Sequence, residues 1–382
     1  MSAAGVIDRS GLAALIAALH GDGYTVIGPT LRGDAITYDV IGGVDDLPEG
    51  WTDQQGPGSY TVQRREDSRL FGYALGPRSW KAYLAPERSV VWSATKGEYG
   101  WAEHPPEPPP RYAFIGVRGC EIAAMGIQDR VFMGAAPDPG YTVRRRTAFI
   151  VAVNCDEPAA NCFCEPMGTG PGVDHGFDIA LTELDGAPRM LVEAGSERGA
   201  AMLAAIGDLT PATPADEATA AERVAAAAAV MRGRFDTADI HDLLLGNLDH
   251  PHWDEVAERC LGCTNCTLVC PTCFCSTIED GVSLDGTEAT RTRRWDSCFT
   301  MDFSYIHGGP VRPSRPTRYR QWLTHKLATW IDQFGTSGCV GCGRCVTWCP
   351  VGIDLRQEVE AIRRSDRRRP AESALPSPER LS

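Results

Sequence analysis

The sequence has no apolar run approaching the roughly 18 to 20 residues that a membrane-spanning helix needs, so no membrane span is expected. A signal peptide is not expected either. Met1 to Gly5 holds no basic cluster, and Leu12–Leu19 is a short amphipathic stretch rather than an apolar leader core. An excess of positive charge is missing too: 37 Lys and Arg stand against 50 Asp and Glu, a formal net charge of −13. Nucleic-acid binding rests on a basic surface, so that class is excluded as an expectation. An acidic protein can still dock on protein partners. Lysine is scarce beside abundant Ala and Arg, which reads as compositional bias without functional weight. Neither a G-x-G-x-x-G in a strand–helix setting nor a Walker loop is found.

What the chain has in quantity is cysteine, 15 in 382 residues. Two copies of one pattern organise its C-terminal third. The first is Cys260-Leu-Gly-Cys263-Thr-Asn-Cys266-Thr-Leu-Val-Cys270-Pro271, and the second is Cys339-Val-Gly-Cys342-Gly-Arg-Cys345-Val-Thr-Trp-Cys349-Pro350. Both are C-x2-C-x2-C-x3-C-P, the run that ligates [4Fe–4S] clusters, in which the fourth Cys reaches the other cluster. The expected ligand sets are therefore Cys260, Cys263, Cys266 and Cys349 for one cluster, and Cys339, Cys342, Cys345 and Cys270 for the second. The glycines before Cys263 and around Cys342 suit a backbone passing close to sulfide. The alternative of another class is a zinc-stabilised, non-redox scaffold, since eight thiolates could hold two Zn²⁺ ions. Zinc ribbons use separated C-x2-C pairs, however, not three Cys in seven residues followed by C-P. With so many thiols, a reducing cytoplasmic compartment without disulfides is expected.

Length and a composition of 43% hydrophobic and 23% charged residues fit a globular protein of two or three domains. The expected class is α+β: an N-terminal α/β region, then an α-helical dicluster ferredoxin-like domain with two [4Fe–4S] clusters. Residues 1–103 read as an α/β module. Ser10 is a candidate cap for a helix over Leu12–Leu19, and Tyr24–Ile27 with Ala35–Ile41 read as a hairpin broken at Gly28-Pro29 and Arg32-Gly33-Asp34. Tyr60–Gln63, Leu70–Tyr73 and Val90–Ser93 are further β-like stretches. Trp80 and Lys81 are read as packing on the sheet, with a functional role as the alternative. The Pro-rich stretch from His104 to Pro110 reads as a connector. Residues 111–210 form an α/β region in which the strands Arg111–Val117 and Thr147–Val153 each run into a Cys-bearing loop, where open sheets place ligands. Phe177–Leu184 and Arg189–Glu193 read as a hairpin around Asp185-Gly186, followed by a helix begun at Ser196. A helical connector covers 211–250, the dicluster domain 251–364, and a disordered tail 365–382. Between the two runs, Arg315–Phe334 reads as a helix with Tyr319, Trp322, Leu323, Leu327, Trp330 and Ile331 on one face.

Several stretches carry a resemblance: Gly116-Val117-Arg118-Gly119-Cys120 with Ile127 to Phe132, Cys162-Phe163-Cys164 with Met167 to Pro171, and Cys270-Pro271-Thr272-Cys273-Phe274-Cys275 with Trp295 to Phe299. Over roughly residues 60 to 362 the chain resembles the beta subunit of cytoplasmic NAD(P)-linked [NiFe]-hydrogenases, also called the sulfhydrogenase beta subunit. The electron-transfer subunit of anaerobic sulfite reductase is a close relative of that family. The resemblance implies an electron-transfer protein that relays single electrons, with a flavin-containing NAD(P)H oxidoreductase subunit on one side and the [NiFe]-hydrogenase small and large subunits on the other. The sulfite reductase branch, where electrons end on a sirohaem partner, is the alternative. Nothing in this chain supplies ligands for a NiFe centre, so no catalytic residue is assigned.

Seven cysteines remain. Cys120, Cys155, Cys162 and Cys164 lie on two loops expected to be neighbours, and four is the ligand count for a third [4Fe–4S] cluster. Buried structural cysteine is the alternative. Cys273, Cys275 and Cys298 make only three and are read as packing and hydrogen-bonding groups around the first cluster, with a [3Fe–4S] site as the other reading. Gly168 to Gly172 reads as a tight turn or a phosphate cradle, and His307 before Gly308-Gly309 as a turn residue. Arg291, Arg293 and Arg294 read as a solvated basic face, or as a group that stabilises reduced clusters or forms a docking face.

Overall fold

The computed structural model describes residues 5–105, 107–184, 188–207 and 209–366. The turn expected at Asp185-Gly186, Pro106 of the connector and the tail from residue 367 onward lie outside the described residues. In chain order the strands are β1 (Gly5–Asp8), β2 (Thr25–Arg32), β3 (Ala35–Val40), β4 (Trp51–Gly56), β5 (Ser59–Arg64), β6 (Arg88–Gly97) and β7 (Gly100–His104). After them come β8 (Tyr112–Val117), β9 (Phe149–Val153), β10 (Ile179–Glu183), β11 (Arg189–Ala194), β12 (Thr210–Pro211), β13 (Ser276–Val282), β14 (Glu288–Trp295) and the short pair β15 (Tyr305–Ile306) and β16 (Gly309–Pro310).

Eight of these strands form one sheet in the order β12-β1-β11-β10-β9-β8-β2-β3. Its centre is parallel, with β2, β8, β9 and β10 side by side, and its margins are antiparallel. β8 (YAFIGV) and β9 (FIVAV) are buried almost throughout, as continuous apolar runs are when both faces of a parallel sheet are covered. The helix Arg9–Gly21 buries Leu12, Leu15, Ile16 and Leu19, the spacing of one helical face. Its cap is Asp8, not Ser10: the Asp8 carboxylate accepts from the backbone N–H groups of Ser10 and Gly11 at 2.8 and 3.0 Å.

Two strand expectations are corrected. β2 continues through Gly28-Pro29. β8 pairs only with Thr25–Ile27, so beyond Ile27 one side of β2 is an open edge, where proline is tolerated. Leu70–Tyr73 is buried but is not a strand. The Glu183 carboxylate accepts from the N–H groups of Leu70 and Phe71 at 2.7 and 3.1 Å, taking the place of a strand partner.

The segment between the two Cys runs is mixed rather than wholly helical. Its first half is the hairpin β13–β14, and β14 pairs with β6 to give a four-stranded sheet β13-β14-β6-β7. Its second half holds the expected helix, Arg315–Thr324 and Trp330–Phe334, joined by a π-helical turn at His325–Thr329. Tyr319, Trp322, Leu323, Leu327 and Trp330 are buried on it, and Ile331 is half-buried. The C-terminal core holds Trp253, Tyr319, Trp322, Leu323, Leu327 and Val359 together with Phe163 from the loop after β9. The Phe163 N–H donates to the Gly341 carbonyl at 2.8 Å, which ties that loop to the second Cys run.

Candidate metal centres

The two Cys runs fold as copies of one another. Gly262 and Gly341, each before the second Cys, have φ of +66°, and the residues after that Cys, Thr264 and Gly343, have φ of 71° and 73°. This pair of left-handed turns wraps three cysteines round one point, and a short helix follows in each copy, Asn265–Leu268 and Arg344–Thr347. The copies differ in what surrounds them. A Cβ on Gly341 would lie 2.4 Å from the Phe163 carbonyl oxygen, and one on Gly343 would lie 2.5 Å from that of Asn161. Gly262 has open space around it. The second run therefore needs glycine at both positions because the Cys162–Cys164 loop lies on top of it.

Cys260, Cys263, Cys266 and Cys349 line one cavity together with Cys345, Tyr319 and Trp322. Burial pushes the Cys266 thiol well up, and the neighbouring sulfurs that act on it are Cys260, Cys349 and Cys263. Burial likewise raises Cys345, whose sulfur neighbours are Cys339, Cys342 and Cys270. The structure thus brings together the two crossed sets expected from the sequence. Backbone N–H groups point at the sulfurs: Gly262 at Cys260 (3.4 Å), Gly341 at Cys339 (3.5 Å) and Ile353 at Cys349 (3.3 Å).

These surroundings fit a polynuclear iron–sulfur group. Tyr319 and Trp322 line the first cavity, and among the described residues their buried hydroxyl and indole N–H have no hydrogen-bond partner. Buried donors of this kind normally find a partner, and the sulfur atoms of a cluster would provide one. Among the described residues, no three His, Cys, Asp or Glu side chains converge tightly enough to hold a single metal ion. A tetrahedral zinc site would gather four thiolates at about 2.3 Å from one ion.

The loops after β8 and β9 meet as expected. Cys120, Cys155, Cys162 and Cys164 line a second cavity, which Cys342 also borders. Its volume, about 40 Å³, is close to the roughly 30 Å³ of the first. Burial pushes Cys155 up to about 11. Tyr73 and Arg118 line this cavity, and among the described residues the Tyr73 hydroxyl and the Arg118 Nε are again buried donors without a partner. Arg118 is held by the carbonyls of Phe71 and Tyr73 at 2.6 and 3.1 Å.

Other residues singled out in the sequence fall elsewhere. Arg291, Arg293 and Arg294 sit on β14 and pair with Asp280, Asp138 and Glu279, so they are neither an unpaired basic face nor part of a thiol set. The turn Gly168 to Gly172 packs its carbonyls against Gly119 and its Gly170 against the Cys164 sulfur. His307 is exposed and is followed by Gly308 and Gly309 at φ +102° and +130°. Trp80 is fully buried, as read. Lys81 is more than packing: it is buried at 4% exposure, and its Nζ donates to the carbonyls of Cys270 (2.9 Å) and Cys273 (3.2 Å).

Sequence reading missed two cations. Lys326, on the π-helical turn, is buried, and its Nζ lies 3.2 Å from the Cys270 sulfur. Arg344 borders the second cavity and pairs with Glu121 at 2.8 Å. The one available signal was the rarity of lysine, three in 382 residues, two of them here.

Residues 259–353 match the family model described as a 4Fe-4S dicluster domain. Over 259 residues the chain is 36% identical to sulfhydrogenase 2 subunit beta of Pyrococcus furiosus, a match covering 66% of this chain and 74% of that one. No helix among the described residues is long and apolar enough to cross a membrane.

Proposed function

Since the chain belongs to the sulfhydrogenase beta-subunit family and is thereby an iron–sulfur subunit of a hydrogenase-type complex, we propose that it relays single electrons between two partners, a flavin-bearing subunit that oxidises NAD(P)H and a [NiFe]-hydrogenase catalytic module. The observation that carries this reading is the continuity of the thiol sets. Cys345 of the second set borders the cavity of the first, and Cys342 of the same set borders the cavity of Cys120, Cys155, Cys162 and Cys164. In this reading Cys260, Cys263, Cys266 and Cys349 ligate one [4Fe–4S] cluster, Cys339, Cys342, Cys345 and Cys270 a second, and the four loop cysteines a third. Bound clusters supply one-electron transfer by tunnelling.

The chain's own part is to hold and tune. Backbone N–H groups at Gly262, Gly341 and Ile353 stabilise the thiolates. Tyr319, Trp322, Tyr73 and Arg118 offer donors to sulfur, and Lys326 places a positive charge beside Cys270. The burial of Cys270 and Cys339 keeps water from the middle of the series. We assign residues 251–364 as the cluster-bearing unit, residues 1–103 and 111–210 as the α/β regions, and 211–250 as the helical link between them. The setting is read as reducing and cytoplasmic, since 15 cysteines must be kept from oxidation. No catalytic residue is assigned; bond-making chemistry lies with the partners.

The test is iron, acid-labile sulfide and zinc per chain on anaerobically purified protein, with EPR after dithionite reduction. About eight iron with coupled [4Fe–4S] signals supports two clusters, and about twelve adds the third. Zinc without iron overturns the relay. Co-purification with nickel and a hydrogenase large subunit supports the proposed partners, whereas a sirohaem partner moves the chain to the sulfite reductase branch.

A further inference from the structure

Away from the thiol sets, one end of the four-stranded sheet borders a cavity of about 740 Å³, the size of a small-molecule site. Three guanidiniums line it, those of Arg78, Arg88 and Arg294, against one carboxylate, Glu87. In a chain of net charge −13 this is a local reversal of sign.

Strand pairing forces two of these arginines together. Arg294 of β14 lies directly opposite Arg88 of β6. Like charges at directly opposed positions destabilise a sheet. Glu279 on β13 serves both, in an ion pair with Arg294 and at 3.9 Å from Arg88, so one carboxylate answers two cations. Arg78 arrives from the segment before the short helix Lys81–Leu84. It is exposed, and among the described residues it forms no ion pair. Asp39, on which its charge acts, is bonded to Arg32 at 2.7 Å. The cavity therefore holds more positive charge than the protein itself neutralises.

The apolar wall consists of Trp295 with Leu268 and Val269. The indole is fixed in place. Its Nε1 donates to the Ala85 carbonyl at 2.8 Å, the Trp295 backbone N–H donates to the Glu87 carbonyl at 2.8 Å, and Lys81 Nζ sits 3.8 Å over the ring. A ring held this way loses little freedom when a ligand binds. Aromatic side chains stack flat heterocyclic rings whatever their identity, and the planar fork of arginine matches phosphate oxygens.

We infer that this cavity binds a mononucleotide, with its phosphate on Arg78, Arg88 and Arg294 and its planar ring on the wall at Trp295. Glu87 is suited to accept from a ribose hydroxyl. Leu268 and Val269 lie between Cys266 and Cys270, so the bound nucleotide sits against the segment that joins the first thiol set to the second. The inference uses none of the sulfurs and goes beyond the relay reading without resting on it.

Equilibrium dialysis of anaerobically purified full-length protein at low salt tests it. The probes are AMP, FMN, their phosphate-free counterparts adenosine and riboflavin, and inorganic phosphate. AMP or FMN is expected to bind with a Kd below about 1 mM, and at least about tenfold tighter than its phosphate-free counterpart and than phosphate alone. Tighter AMP identifies a purine occupant, and tighter FMN a flavin. Arg78→Gln/Arg88→Gln, at two exposed positions, is expected to weaken binding at least about tenfold with iron content unchanged. Arg291→Gln, exposed on the same strand as Arg294 but outside the cavity, should bind as wild type does. Should the double variant lose iron, the ratio of AMP to adenosine affinity in wild type decides alone. Failure of both AMP and FMN to bind, binding of adenosine or phosphate as tight as that of AMP, or equal weakening by Arg291→Gln overturns the inference.

Discussion

Arg344 and Glu121 form an ion pair at 2.8 Å, with side chains 5% and 1% exposed, and they join the helix that follows Cys342 to the helix Gly119–Phe132, which carries Cys120. The Arg344 Nε also donates to the Gly76 carbonyl, and the Tyr38 hydroxyl donates to the other Glu121 oxygen at 2.8 Å. One buried pair thus holds the second thiol set against the third. Removing a single partner leaves a buried charge, so Glu121→Gln should cost about 3–5 kcal/mol of stability. Glu121→Leu combined with Arg344→Met should cost much less than the sum of the single changes. Anaerobic denaturant titration of the four proteins measures this coupling.

The crossed pattern makes an asymmetric prediction. Cys349→Ser should remove the cluster whose other ligands lie in the first run, and Cys270→Ser the one whose other ligands lie in the second. Each variant should lose about four iron per chain. If both variants lost the same EPR signal, the crossed assignment would be wrong.

Tyr319→Phe and Trp322→Phe each remove one buried donor from the first cavity without removing a ligand. Hydrogen bonds to sulfur favour the reduced, more negative cluster, so each change should lower the midpoint potential of that centre. At about 1 kcal/mol per donor the shift is on the order of 40 mV. Iron content should stay constant, and EPR-monitored redox titration reads the shift.

The two repeated glycines should respond differently. Gly262→Ala meets only the left-handed backbone cost of about 1–2 kcal/mol. Gly341→Ala adds a clash at 2.4 Å with the Phe163 carbonyl and should cost on the order of 3 kcal/mol or more. Thermal unfolding of the two variants, compared at equal iron loading, checks the order.

His252 bonds Glu358 at 2.7 Å and Glu255 at 2.9 Å, and the Glu358 partner raises its pKa above the ordinary 6.5. A raised histidine stabilises the fold fully below the unfolded pKa and loses that contribution as pH climbs through the folded one. His252→Gln should therefore be less stable than wild type at pH 6, with the gap narrowing toward pH 9. A gap that widened with pH would contradict the pairing.

Much of the C-terminal site was legible because cluster ligation demands a fixed local spacing. Cys260 to Cys270 and Cys339 to Cys349 announce themselves in one dimension, as do the apolar strands that end at Arg118 and Asn154. The loop cysteines 120, 155, 162 and 164 were legible one step later, through the rule that adjacent parallel strands place their C-terminal loops together. The cap at Asp8 and the run of β2 through Pro29 were not legible. Cap choice and edge position depend on neighbours that local pattern does not name.

The sequence by itself determined the chemistry on offer: fifteen thiols, two copies of a ligating run, and a family resemblance spanning most of the chain. Only the tertiary structure decided which thiols share a cavity, which donors are left without partners, and where the rare lysines go. Lys81 and Lys326 are far apart in the chain, and nothing local marks either. The fold brings both ammonium groups to the loop of Cys270 and Cys273. The physical reason is that a buried charge is defined by what surrounds it in space, and here those surroundings are assembled from a segment before β6, a π-helical turn and a strand hairpin that meet only in the folded chain.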